Sequence, residues 1–172
     1  LLRRSDIVTC HVPLTKEGPD ASYHLLDESR LALLAPHAVV VNSARGAVID
    51  NAALLRALRG GRLGDAVLDV WEHEPEPDPE LIQAVTLGTP HIAGYSFDGK
   101  VNGTRMLYDA ACAFLNRPPE WSPPAPRSDA DCVPVAIEPD RSLDEVLKDL
   151  VFRSYDICRD DAALRASARL PS

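Results

Sequence analysis

Short apolar strands alternate with single helices along the first hundred residues, and this alternation constrains the fold of the chain more than any other feature. Strand patterns rich in apolar and β-branched residues cover 6–12, 38–42 and 66–70, and a fourth, very short strand is predicted at 92–93. Strands that are apolar on both faces are typical of parallel sheets. We therefore predict an α/β fold in which helices cover a parallel sheet on both sides.

Capping residues indicate where the helices begin and end. Asp27 is predicted to begin a short helix that Pro36 ends, and Asp50 is predicted to begin a second helix that ends at 60–61. Beyond the sheet, apolar residues recur with the period of a helix over 98–115.

The last third of the chain has a different composition. Residues 117–127 contain five prolines and predict a stiff, extended linker. A strand is predicted at 132–137, and a helix is predicted over 142–155, starting with a capping box at Ser142. This tail is small for independent folding, so we expect it to pack on another domain or another subunit.

Composition excludes several classes of function. A net charge of −8 argues against general binding of nucleic acid or of anionic membrane surfaces, and no apolar run is long enough to span a bilayer. The four cysteines are widely spaced without a C-x-x-C pair, which predicts reduced thiols, no metal site and a cytoplasmic protein. The chain starts at Leu1 without an initiator methionine or a signal sequence, so we expect it to begin inside a longer protein.

An arginine, a glutamate and a histidine follow successive predicted strands, and ligands of parallel sheets bind at such strand ends. Arg45 can hold a carboxylate with two hydrogen bonds at any working pH. His91 is suited to accept a proton near neutrality, and Glu74 beside it would orient the ring and favour its protonated form. Together they predict oxidation of a 2-hydroxy acid, with the hydride passing to a nicotinamide because no side chain accepts one.

Each of these residues also has a structural interpretation. Arg45 next to a glycine is typical of a turn, Glu74 lies in the acidic run 72–80, which is typical of an exposed loop, and His91 is typical of a hydrogen-bonded core histidine. Asp69 ends an apolar strand and needs a donor, either a helix terminus or the carboxamide of a nicotinamide. The remaining histidines have no evident partner and are assigned to structure or surface: His11, His24, His37 and His73.

Three ordered motifs resemble the D-isomer-specific 2-hydroxyacid dehydrogenases. They are VNSARGAVID at 41–50, LDVWEHEP at 68–75 and TPHIAG at 89–94, and HVPLT at 11–15 agrees with the preceding strand and loop of the family. The resemblance implies a partial Rossmann-type doubly wound parallel sheet and NAD as the cofactor. It implies catalytic roles for Arg45, Glu74 and His91. It also implies cofactor contacts at Val12, Ser43, Ala44, Arg45, Asp69 and Gly94, and substrate contacts at Arg45 and Tyr95.

Within the family, HIAGYSFDGK at 91–100 and YDICRDDAALR at 155–165 resemble one branch. That branch oxidises 4-phospho-D-erythronate to 2-oxo-3-hydroxy-4-phosphobutanoate in pyridoxal 5′-phosphate biosynthesis, and it forms homodimers through a small α+β C-terminal domain. The resemblance therefore implies a phosphorylated 2-hydroxy acid as substrate. It divides the chain into the C-terminal part of the NAD-binding domain (1–97), a returning helix (98–116), the linker (117–127) and the dimerisation domain (128–172).

The chain also departs from the family pattern, because a G-x-G-x-x-G phosphate loop does not occur in its 172 residues. We expect this loop, and the substrate domain with the phosphate-binding groups, to lie before Leu1, and we expect the chain alone to be inactive. Two alternatives stay open. One is another D-2-hydroxyacid dehydrogenase, of the phosphoglycerate or glyoxylate/hydroxypyruvate type, and the other is a non-catalytic NAD-sensing protein on the same fold.

Overall fold

The computed structural model describes residues 1–123 and 140–168, which belong to two compact units. Unit 1 comprises residues 1–92 together with 155–168, and it contains the sheet and the hydrophobic core. Unit 2 comprises the described residues between 93 and 154. Across the described parts of both units, no helix is long and apolar enough to cross a membrane.

Four parallel strands form the sheet of unit 1, in the spatial order β1-β2-β3-β4. They are β1 (Ile7–Cys10), β2 (Val39–Asn42), β3 (Asp65–Leu68) and β4 (Leu87–Gly88). The first three overlap the predicted strands. The α/β class and the parallel pairing are therefore confirmed.

The prediction of a strand at 92–93 was wrong, because the sheet pairing ends soon after β4. Pro90 has no amide hydrogen to donate, and His91 takes a left-handed backbone angle φ of 56°, so the chain leaves the sheet. The amide of Ile92 donates to the side chain of Asp69 at 2.8 Å. This turn determines where His91 lies at the edge of the sheet.

Aspartate side chains begin the two helices that the sequence predicts in unit 1. In α1 (Glu28–Leu31), Asp27 accepts a hydrogen bond from the third residue of the helix at 2.8 Å. In α2 (Asn51–Arg59), Asp50 accepts one from the amide of Ala53, also at 2.8 Å. Both starting positions are confirmed, since an N-cap depends on local sequence.

A third helix, α3 (Pro79–Ala84), was not predicted. Asp78 caps it, a proline opens it, and Leu81 and Ile82 bury their side chains in the core. Its six residues are too few for a clear helical period, and the first two of them belong to the acidic and proline-rich run 72–80.

Burial alternates along the central strands. Fully buried residues of β2 and β3 share one face: Val40, Ala66 and Leu68. The intervening residues are half-buried: Val39, Val41 and Val67. Crossovers between parallel strands are almost always right-handed, so strands in consecutive order have their connecting helices on one face. In agreement, α1 packs on α2 and α2 packs on α3. The predicted helical cover is therefore confirmed for this face of the sheet.

The helix α6 (Cys158–Ser167) packs on the edge of the sheet at β4. Asp161 accepts the amide of Gly88 at 2.7 Å, and Arg165 donates to two carbonyls at the end of α3 at 2.7 and 2.9 Å. Arg165 also pairs with Asp161 at 2.8 Å, and this guanidinium lowers the pKa of the Asp161 carboxyl. The sheet edge therefore finds hydrogen-bond partners in α6.

Unit 2 contains α4 (Phe97–Phe114) and α5 (Leu143–Ser154), within one residue of the predicted bounds at each end. The predicted capping box is present: the amide of Ser142 donates to Glu145 at 2.9 Å, and the amide of Glu145 donates to Ser142 Oγ at 3.3 Å. The predicted strand at 132–137 lies outside the described residues, as do the end of the proline-rich linker and the start of the predicted dimerisation domain.

Candidate active site

The three residues predicted to be catalytic line one cavity. Arg45 follows β2, Glu74 lies in the loop after β3, and His91 follows β4, so all three stand at the carboxyl edge of the sheet. The cavity measures about 350 Å³, which suits a small organic ligand. The fold thus brings together side chains that lie up to 46 positions apart in the sequence.

The imidazole of His91 is paired with the carboxylate of Glu74. His91 Nδ1 lies 2.7 Å from Glu74 Oε2, and Glu74 Oε1 accepts the amide of Trp71 at 2.8 Å. An ionised carboxylate only accepts, so Nδ1 carries the proton in the neutral ring and Nε2 has a free lone pair. Among the described residues, Nε2 has no hydrogen-bond partner. The pair therefore sets the tautomer that a general base requires.

The backbone of His91 is held by Asp69 and its neighbours. The amide of His91 donates to the carbonyl of Asp69 at 2.7 Å, and Asp69 Oδ1 accepts from Thr89 Oγ1 at 2.6 Å and from the amide of Ile92 at 2.8 Å. Trp71 Nε1 donates to the carbonyl of Thr89 at 3.0 Å. These bonds fix a left-handed turn that histidine adopts more readily than most residues.

The turn that carries Arg45 is built on a buried asparagine. Asn42 is 1% exposed, and its side chain donates to the carbonyl of Arg45 at 2.9 Å and accepts the amide of Ala44 at 3.1 Å. Gly46 lies against the next loop so closely that a Cβ there would stand 1.9 Å from the carbonyl oxygen of Trp71. Only glycine fits this contact, which joins the Arg45 turn to the loop of Glu74.

A second cavity of about 500 Å³ adjoins the same edge of the sheet. Four of the predicted cofactor contacts line it: Val12, Ser43, Ala44 and Arg45. Arg45 also lines the first cavity, so one guanidinium belongs to both. A concave site where β1 and β2 end fits the nicotinamide end of a dinucleotide.

The other predicted contacts occupy different environments. Asp69 is 7% exposed, and its buried carboxylate was expected to need a hydrogen-bond donor. The turn described above supplies two donors to its Oδ1, the hydroxyl of Thr89 and the amide of Ile92. Gly94 and Tyr95 belong to unit 2, where Lys100 Nζ lies 3.6 Å from the centroid of the Tyr95 ring. Their predicted contacts with cofactor and substrate stay predictions.

The expectation that His24 lacks a partner was wrong. His24 Nε2 lies 2.7 Å from Glu72 Oε1, and Glu72 Oε2 accepts the amide of Asn51 at 2.8 Å. The side chain of Asn51 in turn accepts the amide of Glu72 at 3.0 Å. His24 and Glu72 are 48 positions apart, so local sequence gives no sign of the pair.

Two surface histidines also have partners. His11 Nε2 lies 2.8 Å from Thr9 Oγ1, and His37 Nε2 lies 2.8 Å from Asp6 Oδ1. Both pairs are exposed, so the assignment of these histidines to the surface stands, although the expectation that they lack partners was wrong.

Among the residues of the first cavity that sequence reasoning missed are Lys16 and Tyr23. Both lie in the loop after β1, and Lys16 Nζ is 5.8 Å from the centroid of the Tyr23 ring. The rule that ligands bind where parallel strands end, applied to β1 as well, could have found them.

Residues 1–93 match the protein family described as D-isomer specific 2-hydroxyacid dehydrogenase, NAD binding domain. An erythronate-4-phosphate dehydrogenase from Salinibacter ruber is 47% identical over 173 residues, which cover 99% of this chain and 44% of that relative. The chain therefore spans less than half the length of the curated relatives that match all of it.

Solved structures show the same fold. The holo form of D-mandelate dehydrogenase from Rhodotorula graminis matches with a TM-score of 0.61 and 37% identity, over 66% of this chain and 32% of that one. A D-lactate dehydrogenase from Aquifex aeolicus, solved with NAD and lactic acid, matches with a TM-score of 0.56 and 29% identity, over 67% of this chain and 38% of that one. By its sequence and its fold, the chain belongs to the D-isomer specific 2-hydroxyacid dehydrogenases and matches their NAD-binding domain.

Proposed function

We propose that the full-length protein carrying this chain oxidises 4-phospho-D-erythronate to 2-oxo-3-hydroxy-4-phosphobutanoate, with NAD as the acceptor. The observation that carries the proposal is the single cavity lined by Arg45, Glu74 and His91, with the His91–Glu74 pair already formed. The name of the Salinibacter ruber relative supports the choice of substrate, because its similarity extends over 99% of this chain.

Each of the three side chains has one role in this reaction. Arg45 binds the carboxylate of the substrate and polarises the oxygen on C2, because its planar fork offers parallel donors and stays charged. His91 accepts the proton of the C2 hydroxyl at Nε2. Glu74 holds the ring through Nδ1 and stabilises the positive charge that His91 gains.

The residues around the second cavity fit a nicotinamide. Val12 and Ala44 supply apolar surface, while Ser43 and Arg45 supply polar groups beside it. When NAD is bound, its nicotinamide ring supplies the acceptor for the hydride that leaves C2. Arg45 lines both cavities, which supports a cofactor site next to the substrate site.

The remaining parts of the proposal concern the substrate class, the assembly and the location. The substrate carries a phosphate as well as a carboxylate, the protein forms a homodimer through residues of the 128–172 segment, and it works in the cytoplasm. Support for the dimer comes from the resemblance of the tail. Support for the cytoplasm comes from the widely spaced cysteines, of which the described ones are free thiols.

The test is turnover of the full-length protein with NAD and three substrates: 4-phospho-D-erythronate, D-erythronate and 3-phosphoglycerate. We expect the highest kcat/KM for 4-phospho-D-erythronate. Equal values with and without the phosphate would remove the specific assignment and leave a general 2-hydroxyacid dehydrogenase. Binding of NAD without turnover of any of the three acids would instead favour an NAD-sensing protein.

A further inference from the structure

The substrate cavity contains a second cationic side chain besides Arg45. Lys16 lines the same cavity of about 350 Å³ as Arg45, Glu74 and His91. Its backbone position is fixed by the base of its loop, since the amide of Thr15 donates to Ser22 Oγ at 2.8 Å and the Thr15 carbonyl accepts the amide of Ser22 at 2.9 Å. Because Lys16 directly follows Thr15, these hydrogen bonds also restrain the Cα position of Lys16 in the lining of the cavity.

The two carboxylates that line the cavity are already engaged at both oxygens. Glu74 accepts from the amide of Trp71 and pairs with His91. Glu72 pairs with His24 and accepts from the amide of Asn51. Both carboxylates are therefore held by these partners, and among the described residues neither forms an ion pair with Lys16 or Arg45.

The two cationic side chains, Lys16 and Arg45, lack such charged partners in the part of the chain that the structure describes. Among the described residues, neither Lys16 nor Arg45 forms an ion pair. Over the same residues, the interaction of the Lys16 ammonium is with the ring of Tyr23, at 5.8 Å from its centroid. The hydrogen bond of the Arg45 guanidinium is to the adjacent carbonyl of Ala44 at 2.7 Å. Each of the two cations can therefore contact an anionic group directly, and the cavity can receive a ligand that carries two such groups.

We propose that Lys16 binds the second anionic group of the substrate, the phosphate of a phosphorylated 2-hydroxy acid, while Arg45 binds its carboxylate. The inference rests on the function proposed above. It adds one residue of this chain to the phosphate-binding groups that are expected in the substrate domain. The flat fork of arginine matches the planar carboxylate, and the ammonium of lysine acts as a point charge toward the tetrahedral phosphate, which carries close to two negative charges at neutral pH.

The test compares Lys16→Met, Lys16→Arg and a control in the full-length protein, using 4-phospho-D-erythronate and D-erythronate as alternative substrates. Methionine keeps the length of the side chain and removes the charge. Lys148→Met on the exposed face of α5 is the matched control, because it removes a lysine that does not line the cavity. Thermal unfolding of each variant checks that the fold is retained.

In Lys16→Met we expect kcat/KM for 4-phospho-D-erythronate to fall by about 10- to 100-fold, mainly through a higher KM. A decrease of this size corresponds to the loss of one charge-assisted hydrogen bond. The value for D-erythronate should stay near that of the wild type, and Lys16→Arg should recover most of the loss. Undiminished preference for the phosphorylated acid in Lys16→Met, or equal losses with both acids, would overturn the role of Lys16 alone. Absence of that preference in the wild type would overturn the proposed function as well.

Discussion

The Nδ1 atom of His91 lies 2.7 Å from the Oε2 atom of Glu74, although the two residues are 17 positions apart and follow different strands. Each is also tied to the backbone: the second oxygen of Glu74 accepts the amide of Trp71, and the amide of His91 donates to the carbonyl of Asp69. The orientation of the ring is therefore set before any ligand binds, which is the preorganisation that proton transfer benefits from.

Replacing Glu74 with glutamine should reverse the tautomer of His91. The glutamine oxygen can still accept from the amide of Trp71, but its NH₂ group then faces Nδ1, so the proton of the neutral ring moves to Nε2. Nε2 can then no longer accept the substrate proton, and we expect kcat to fall by about 10²- to 10⁴-fold. Steady-state kinetics of the full-length protein measure this, with Glu76→Gln in the same loop as the control. Wild-type kcat in Glu74→Gln would show that the pair has only a structural role.

Arg45→Lys should be damaging although it keeps the charge. A lysine cannot donate two parallel hydrogen bonds to a carboxylate, so we expect kcat/KM to fall by about 10- to 100-fold. Arg59→Lys is the matched control, because Arg59 pairs with Glu80 on the exposed surface, where such pairs contribute little. A near-normal kcat/KM for Arg45→Lys would mean that Arg45 only shapes its turn.

Gly46→Ala should destabilise the fold and the site together. The new Cβ would stand 1.9 Å from the carbonyl oxygen of Trp71, so one of the two loops must move. We expect the free energy of unfolding to fall by about 3 kcal/mol, measured by urea denaturation. In the control Gly103→Ala, on α4, an added Cβ meets no atom within 4 Å, and we expect a small gain in stability from the better helix propensity. Equal stability of Gly46→Ala and the wild type would contradict the close contact.

Asp161→Asn should weaken the packing of α6 in a way that depends on pH. Arg165 lowers the pKa of the Asp161 carboxyl in the folded state, so the ionised form stabilises the fold above the pKa of the unfolded chain, about 4. This contribution is lost as the pH falls through the folded pKa. The difference in unfolding free energy between wild type and Asp161→Asn should therefore be largest at neutral pH and shrink below about pH 4.

The control for this measurement is Asp109→Asn, whose partner Arg105 lies on the exposed surface of α4. Such a pair contributes about 0.5 kcal/mol or less, so this variant should show little change at any pH. A destabilisation by Asp161→Asn that is the same at pH 3 and pH 7 would mean that the charge of Asp161 has no part in holding α6.

Local signals predicted the parts of the fold that depend on neighbours in sequence. The caps at Asp27, Asp50 and Ser142 were placed correctly, because a capping side chain bonds to an amide two or three positions away. The strand predicted at 92–93 was misplaced because apolar residues alone do not show which segment pairs with the neighbouring strand β3. Pairing with β3 ends at Gly88, and only the three-dimensional sheet reveals this.

The candidate site was predicted in part for the same reason. Side chains that follow parallel strands are expected to meet at one edge of the sheet, and Arg45, Glu74 and His91 do line one cavity there. The partnership of His24 with Glu72 and the place of Lys16 in the cavity were missed. Both depend on how a loop folds back on the sheet edge, and strand patterns carry no information on that path.

The most direct test of the account is the kcat of the full-length protein in which His91 is replaced by asparagine. Asparagine tolerates the left-handed backbone at this position, so the variant removes the base while keeping the turn. We expect kcat with 4-phospho-D-erythronate to fall by about 10²- to 10⁴-fold with little change in KM, and we expect added imidazole to recover part of it. A kcat equal to that of the wild type would contradict the assignment of His91 as the base, and with it the central claim.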